Sequence, residues 1–193
     1  NVSDAASVIF NNSITGVAAA NYILVQPSGI TAIITPAPLG ITLTGEYNGT
    51  TSITPTTYTV TGLVAGQTIT GLSSATVSNA NVANNGSNYV TSIVSSGGSA
   101  LLSNYSINTT YNAVAGNTKN VATITPKALT VGSGSIAADK VYDGTNTAMI
   151  AGGSLVGVLG SDIVALTQAG TFAQSAVGSN LVVTATDTLG GAS

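Results

Sequence analysis

The chain contains no cysteine, no histidine and no tryptophan, and its three cations are all lysines: Lys119, Lys127 and Lys140. Each absence removes a class of function. Without cysteine there is no disulfide-stapled scaffold and no thiol nucleophile. Without histidine the commonest general base is missing. Three scattered lysines and no arginine leave nothing to neutralise a phosphate backbone, so no nucleic acid is expected as a partner. Attraction to anionic lipid is disfavoured for the same reason.

Charge of either sign is scarce. Charged residues are 5% of the 193, against about a quarter in ordinary soluble domains, and the net charge is -3. Long hydrophobic runs are also missing. The apolar stretches, such as 22–25, 148–151 and 163–166, fall far short of the ~18 residues of a membrane-crossing helix. The chain is therefore not expected to span a membrane. Yet 44% of residues are hydrophobic and the mean hydropathy is +0.44, enough to supply a core. The polar complement comes from hydroxyls and amides, which stay neutral at ordinary pH. Folding should then depend weakly on pH and salt. Low charge also removes the usual protection against association, which points toward assembly. Neither an initiator methionine nor a signal peptide is visible at Asn1, so a mature or internal segment is expected.

What is present reads as β-structure. Alternation with a period of two recurs at 57–61 (Thr-Tyr-Thr-Val-Thr), 121–125 (Val-Ala-Thr-Ile-Thr) and 183–188 (Val-Thr-Ala-Thr-Asp-Thr). Clusters of Gly, Asn and Ser at 84–88, 95–99, 152–154 and 190–193 read as turns between strands. A helical turn is expected at most at 18–20 or 136–138. The fold class is all-β, with antiparallel β-sandwich-like domains.

An internal repeat organises these strands. Ile33-Ile34-Thr35-Pro36 returns as Thr123-Ile124-Thr125-Pro126, a spacing of 90 (126 − 36). Tyr47-Asn48-Gly49-Thr50 returns as Tyr142-Asp143-Gly144-Thr145, a spacing of 95 (142 − 47). Asn21-Tyr22 returns as Asn104-Tyr105, a spacing of 83 (104 − 21). Residues 63–66, 86–88 and 90–91 have counterparts at 158–161, 178–180 and 183–184, in the same order. A period near 90 is too long for a solenoid coil and suits tandem β-domains in an elongated array. The expected boundaries are 1–36 for the C-terminal part of a first repeat, 37–126 for a whole second repeat and 127–193 for a third without its C-terminal end. On that register either the chain is a window on a longer array, or its missing strands come from a neighbouring copy by strand addition.

The residues 140–148, Lys-Val-Tyr-Asp-Gly-Thr-Asn-Thr-Ala, resemble the signature of the YDG/MBG repeats of large secreted bacterial surface proteins, the filamentous-haemagglutinin-like adhesins. Residues 155–158, 170–172 and 177–178 are similar to that family too, as are the closing strand at 20–22 and the boundary at 124–129. The likeness is strong over 127–193 and weaker over 37–126, where Glu46-Tyr47-Asn48-Gly49-Thr50 replaces the usual opening. The resemblance implies an extracellular protein of a bacterial surface or matrix, used for adhesion, matrix or fibre formation, and no catalysis. Its implied partners are other copies or neighbouring repeats, or a surface or matrix ligand.

No catalytic, cofactor-binding or metal site is expected, and no cofactor. Tyr142–Thr145 reads as a tight turn in which Gly144 supplies positive φ. Asp139 and Asp143 are the one close carboxylate pair among Asp4, Glu46, Asp139, Asp143, Asp162 and Asp187, too few for the six to eight oxygens of calcium. A lysine isopeptide at Lys140 would not be general, since Gly45 stands at the matching position. Six Asn-x-Ser/Thr sequons, at Asn1, Asn11, Asn48, Asn85, Asn104 and Asn108, are what this composition produces. The threonine rows 57/59/61 and 184/186/188 read as ordinary solvent faces. A structural fibre or stalk is favoured, with an adhesin module as the alternative. A binding module would need an exposed pocket, expected near loops 84–88 or 95–99.

Overall fold

The computed structural model describes residues 6–191. Asp4, the Asn1 sequon and the last two residues of the 190–193 turn lie outside them. The regular secondary structure of the described residues is almost all β, and no helix among them is long and apolar enough to cross a membrane. The chain divides into two compact units, Asn1–Thr125 and Pro126–Ser193.

In the first unit a short antiparallel pair, β1 (Ala6–Ser7) with β2 (Thr31–Ala32), precedes two larger sheets. Residues 37–125 supply β3 (Ala37–Glu46), β4 (Ser52–Ile53), β5 (Pro55–Thr61), β6 (Ile69–Val77), β7 (Val90–Gly98), β8 (Tyr105–Ile107) and β9 (Asn120–Thr125). The central strand is β3, whose Leu39, Ile41 and Leu43 alternate inward while Thr42 and Thr44 stay half-exposed. It pairs antiparallel with β5 on one edge. On its other edge lie β8 and then β9, both parallel to it. The second sheet is β4-β6-β7, antiparallel.

One core joins the two sheets. Ile41, Leu43, Ala122 and Ile124 from the first pack with Ile53, Leu72, Ala75, Val77 and Val90 from the second. Each large side chain buried there is worth about 1.5–3 kcal/mol over leaving it in water. Period-two alternation in Val-Ala-Thr-Ile therefore places Ala122 and Ile124 inward, as the sequence pattern expects.

Three local expectations change. The pairing is not antiparallel throughout: β8 and β9 return to β3 after the chain has built the other sheet, and a crossover of that length delivers a parallel strand. The Ser/Gly cluster 95–99 is not a turn: residues 95–98 are the end of β7. Its small residues permit a bulged, close approach to β6: a Cβ on Gly71 would lie 2.3 Å from Ser96 Oγ, and one on Gly97 2.6 Å from Thr70 Oγ1. The 3₁₀ turn at Ala19–Asn21 falls where a helical turn is expected, whereas Ile136–Ala137 is strand.

The second unit contains β10 (Thr130–Val131), β11 (Ile136–Ala137), β12 (Thr147–Ala148), β13 (Ile150–Ala151), β14 (Leu155–Val156), β15 (Ala165–Thr167), β16 (Gly170–Phe172), β17 (Val183–Ala185) and β18 (Thr188–Gly190). The expected strand at 183–188 is split, with Thr186 and Asp187 between β17 and β18. Two of its pairings fall at registers already seen. Ser52 with Thr76 and Ile53 with Ala75 correspond, 95 residues on (147 − 52), to Thr147 with Thr171 and Ala148 with Gly170. Gly40 with Thr61 and Ile41 with Val60 correspond to Thr130 with Val156 and Val131 with Leu155. The core is thin: Ala148 is the one hydrophobic side chain of this unit that is buried among the described residues.

Candidate functional site

The tyrosine turn occurs in both units with the same backbone. Gly49 and Gly144 each have φ 78°, a left-handed value open to glycine. In each, the preceding Asx side chain accepts from the threonine that follows the glycine. Thr50 N–H donates to Asn48 Oδ1 at 3.0 Å, and Thr145 N–H to Asp143 Oδ1 at 2.8 Å. Both threonine hydroxyls donate to the same oxygens. This is an Asx turn, which fixes the loop by local hydrogen bonds.

The two turns differ in how the next carbonyl is satisfied. Asn48 uses its own Nδ2 to donate to Ser52 O at 2.8 Å. A carboxylate has no such donor, and Lys140 supplies it. The Lys140 ammonium lies 2.8 Å from Asp143 Oδ1 and donates to Thr145 O, Thr145 Oγ1 and Thr147 O at 3.0, 2.8 and 3.1 Å. Asn48 with Gly45 and Asp143 with Lys140 are thus two solutions to one loop. Lysine does not fit at Gly45, where even a Cβ would lie 2.8 Å from Ile53 Cδ1. The ammonium sits among the oxygens that a metal ion at Asp143 would need. With the Thr145 donors it lowers the Asp143 carboxyl from 3.8 to about 2. Among the described residues no group of three or more acidic side chains gathers as a metal site.

A second constellation is built from amides. Asn120 is fully buried at the start of β9 and spans the two sheets. Its Nδ2 donates to Val90 O at 2.7 Å and also to Asn108 O, while its Oδ1 accepts from Val90 N–H at 2.8 Å. Asn85 makes the same two-pronged contact with Ile124, donating to its O at 2.9 Å and accepting from its N–H at 2.8 Å. Between them Asn88 O accepts from Ala122 N–H at 3.0 Å. The buried Asn88 side chain is held by Ser78 and Asn79. The outer edge of β9 is therefore covered by a loop, which removes a template for unwanted pairing. In loop 84–88 the Asn85 amide is spent on this edge and the Asn88 amide on Ser78 and Asn79.

Of the other candidate residues, Asn48, Asn85 and Asn108 have side chains already engaged in hydrogen bonds. Thr57, Thr59 and Thr61 share the exposed side of β5. Thr184 and Thr188 belong to different strands and form no single row. Asp187 accepts from Ala169 N–H at 3.3 Å. The buried amides were missed in the sequence, although Asn120 stands in the inward phase of Asn-Val-Ala-Thr-Ile, where a polar residue is a signal.

The second unit has an open groove of about 590 Å³, whose lining includes Asp139, Lys140, Tyr142, Phe172, Gln174 and Asn180. Its walls are the tyrosine turn and the 172–183 segment, not the two loops singled out by composition. Tyr142 is exposed and Phe172 half-buried. An aromatic face beside amides and hydroxyls can stack and hydrogen-bond a neutral polar ligand.

The sequence of the second unit matches a known family model. A YDG domain spans residues 125–193. The match begins within β9, just before the break between the two units, and includes the whole Lys140–Asp143 arrangement. The YDG domain thus comprises the second unit. Searches of curated proteins and of solved structures found no match.

Proposed function

We propose that this chain is part of a secreted bacterial surface protein in which tandem β-sandwich repeats form an extended stalk or fibre with a structural and not a catalytic role. One observation carries the reading: two strand pairings of the YDG domain, β10 with β14 and β12 with β16, repeat the registers of β3 with β5 and β4 with β6. Two domains of one pairing pattern in a single chain are the unit of a bead-like array. The likeness of residues 140–148 to adhesin repeats supports a bacterial surface or its matrix as the location. Polarity without charge suits an exterior where pH and salt vary. Small-angle scattering tests the array: one compact body of 193 residues would have a radius of gyration of about 16 Å, and an elongated array must clearly exceed it. Antibodies to the chain should label the surface of intact source cells, and label confined to the interior would refute the location.

The adhesin reading has its own support in the groove beside Tyr142. It predicts that an array of neutral glycans yields a ligand whose binding is lost in Tyr142→Ala. Binding unchanged by that substitution removes the groove from consideration.

A further inference from the structure

An asparagine followed by glycine carries a reaction of its own. The glycine amide nitrogen can add to the asparagine Cγ, because glycine has no side chain to crowd the approach. The chain has two such pairs, Asn48-Gly49 and Asn85-Gly86, and one acidic counterpart, Asp143-Gly144. The residues that follow are alike, Thr50, Ser87 and Thr145, so the neighbouring sequence does not separate the two asparagines. Their hydrogen bonds do.

Asn48 stands in an exposed loop with Gly49 and Thr50. Its Oδ1 accepts from Thr50 N–H at 3.0 Å, and the Thr50 hydroxyl lies 3.1 Å from the same oxygen. Attack at Cγ gathers negative charge on that oxygen, so donors already aimed at it favour the addition. The Thr50 hydroxyl also lies 2.9 Å from Ser52 O, and its one proton turns to Oδ1 as the charge builds. Gly49 N–H, the attacking group, has no hydrogen bond to the described residues. Nδ2, the amine that leaves, is held by the exposed Ser52 carbonyl. Asn85 is held differently. Its Nδ2 donates to Ile124 O at 2.9 Å and its Oδ1 accepts from Ile124 N–H at 2.8 Å, on a strand 39 residues away. Ring closure there must first break both bonds and release β9. Asp143 shares the turn of Asn48 but carries a carboxylate, and the Lys140 ammonium at 2.8 Å keeps it charged. A charged carboxylate resists attack by an amide nitrogen.

We propose that Asn48 is a site of spontaneous self-modification, activated by Thr50, while Asn85 and Asp143 persist. Gly49 N bonds to Asn48 Cγ, and the Cγ–Nδ2 bond breaks. The proton of Gly49 N passes through solvent to the departing amine, which leaves as ammonia. One water then opens the succinimide ring, giving aspartate or isoaspartate at position 48. The change is one-way, because the ammonia is lost to solvent. The product loop lacks both solutions to its geometry. A carboxylate cannot donate to Ser52 O, and no lysine fits at Gly45, where a Cβ would lie 2.8 Å from Ile53 Cδ1. Ser52 pairs with Thr76, Thr51 O accepts from Val77 N–H at 2.9 Å, and Ile53 is buried in the core. Modification at Asn48 therefore loosens β4 from β6 and marks the age of the molecule.

The test incubates the full chain in mildly alkaline buffer made with heavy-oxygen water and maps its peptides by mass spectrometry. Asn48 should take up the heavy oxygen about tenfold faster than Asn85, the rate cost of first breaking the bonds to Ile124. Asp143 should take up none by this route. Equal rates at the two asparagines, or a faster Asn85, overturn the proposal. In guanidinium-unfolded chain the two rates should converge, and a difference that persists there shows that the fold is not its cause. Thr50→Val removes the hydroxyl and should slow Asn48 about tenfold, whereas a donor that only restrained the loop would speed it when lost. An unchanged or faster rate in that variant overturns the activation. Asn48→Asp, the product made directly, should unfold at lower denaturant than the unmodified chain, and an equal midpoint overturns the loosening of β4.

Discussion

Replacing Asn120 by alanine should be among the most damaging single changes in the first unit. The side chain is 0% exposed and serves three backbone groups, Val90 N–H, Val90 C=O and Asn108 C=O. Alanine leaves all three without this partner in a site closed to water. One orphaned buried group costs ~1–3 kcal/mol, and carbonyls with a second lone pair sit at the low end. Adding the space vacated by the amide gives about 3–5 kcal/mol in total. The protein contains its own control. Asn85 makes the same two-pronged contact with Ile124 but from an exposed position, where water can replace the amide. Asn85→Ala should therefore cost about 1 kcal/mol or less. Urea unfolding followed by tyrosine fluorescence separates the two, because six of the seven tyrosines (22, 47, 58, 89, 105 and 111) lie in the first unit and there is no tryptophan. Equal losses for the two variants would refute the reasoning that burial decides the value of these bonds.

Two further outcomes follow from the geometry. The Asp143 carboxyl should titrate near 2 by NMR; because its folded value lies below the unfolded one, the turn's stabilisation is present above about pH 4 and is lost as pH falls through 2, and Lys140→Ala should raise the midpoint. Gly98→Ala should destabilise the first unit by about 2–4 kcal/mol in thermal unfolding, since φ is 118° and the new Cβ would lie 2.2 Å from Thr68 O.

The all-β character was legible because alternation in 57–61 and 121–125 leaves little room for a helix, and both stretches lie within strands. The turn at Tyr142–Thr145 was legible because an Asx-Gly pair favours left-handed backbone at the glycine. Parallel pairing of β3 with β9 was not, because period-two alternation marks a face and carries no strand direction. The cluster at 95–99 misled because small residues serve both turns and close strand approach, and only the partner at Gly71 distinguishes them. The relation of Lys140 to Asp143 could have been read by comparing the two turns: the acid arrives with a lysine, the amide with a glycine.

The parallel pair β3 and β9 has a mechanical consequence. The chain enters residues 37–125 through β3 and leaves through β9, and six residues of each, 41–46 and 120–125, lie side by side in parallel. Tension applied through the two ends pulls these neighbours lengthwise in opposite directions. The bonds between them are then loaded in shear and share the force, instead of opening one after another like a zip. Asn85 and Asn120 brace β9 from its far side, so a chain of such domains under flow would resist extension at this seam first.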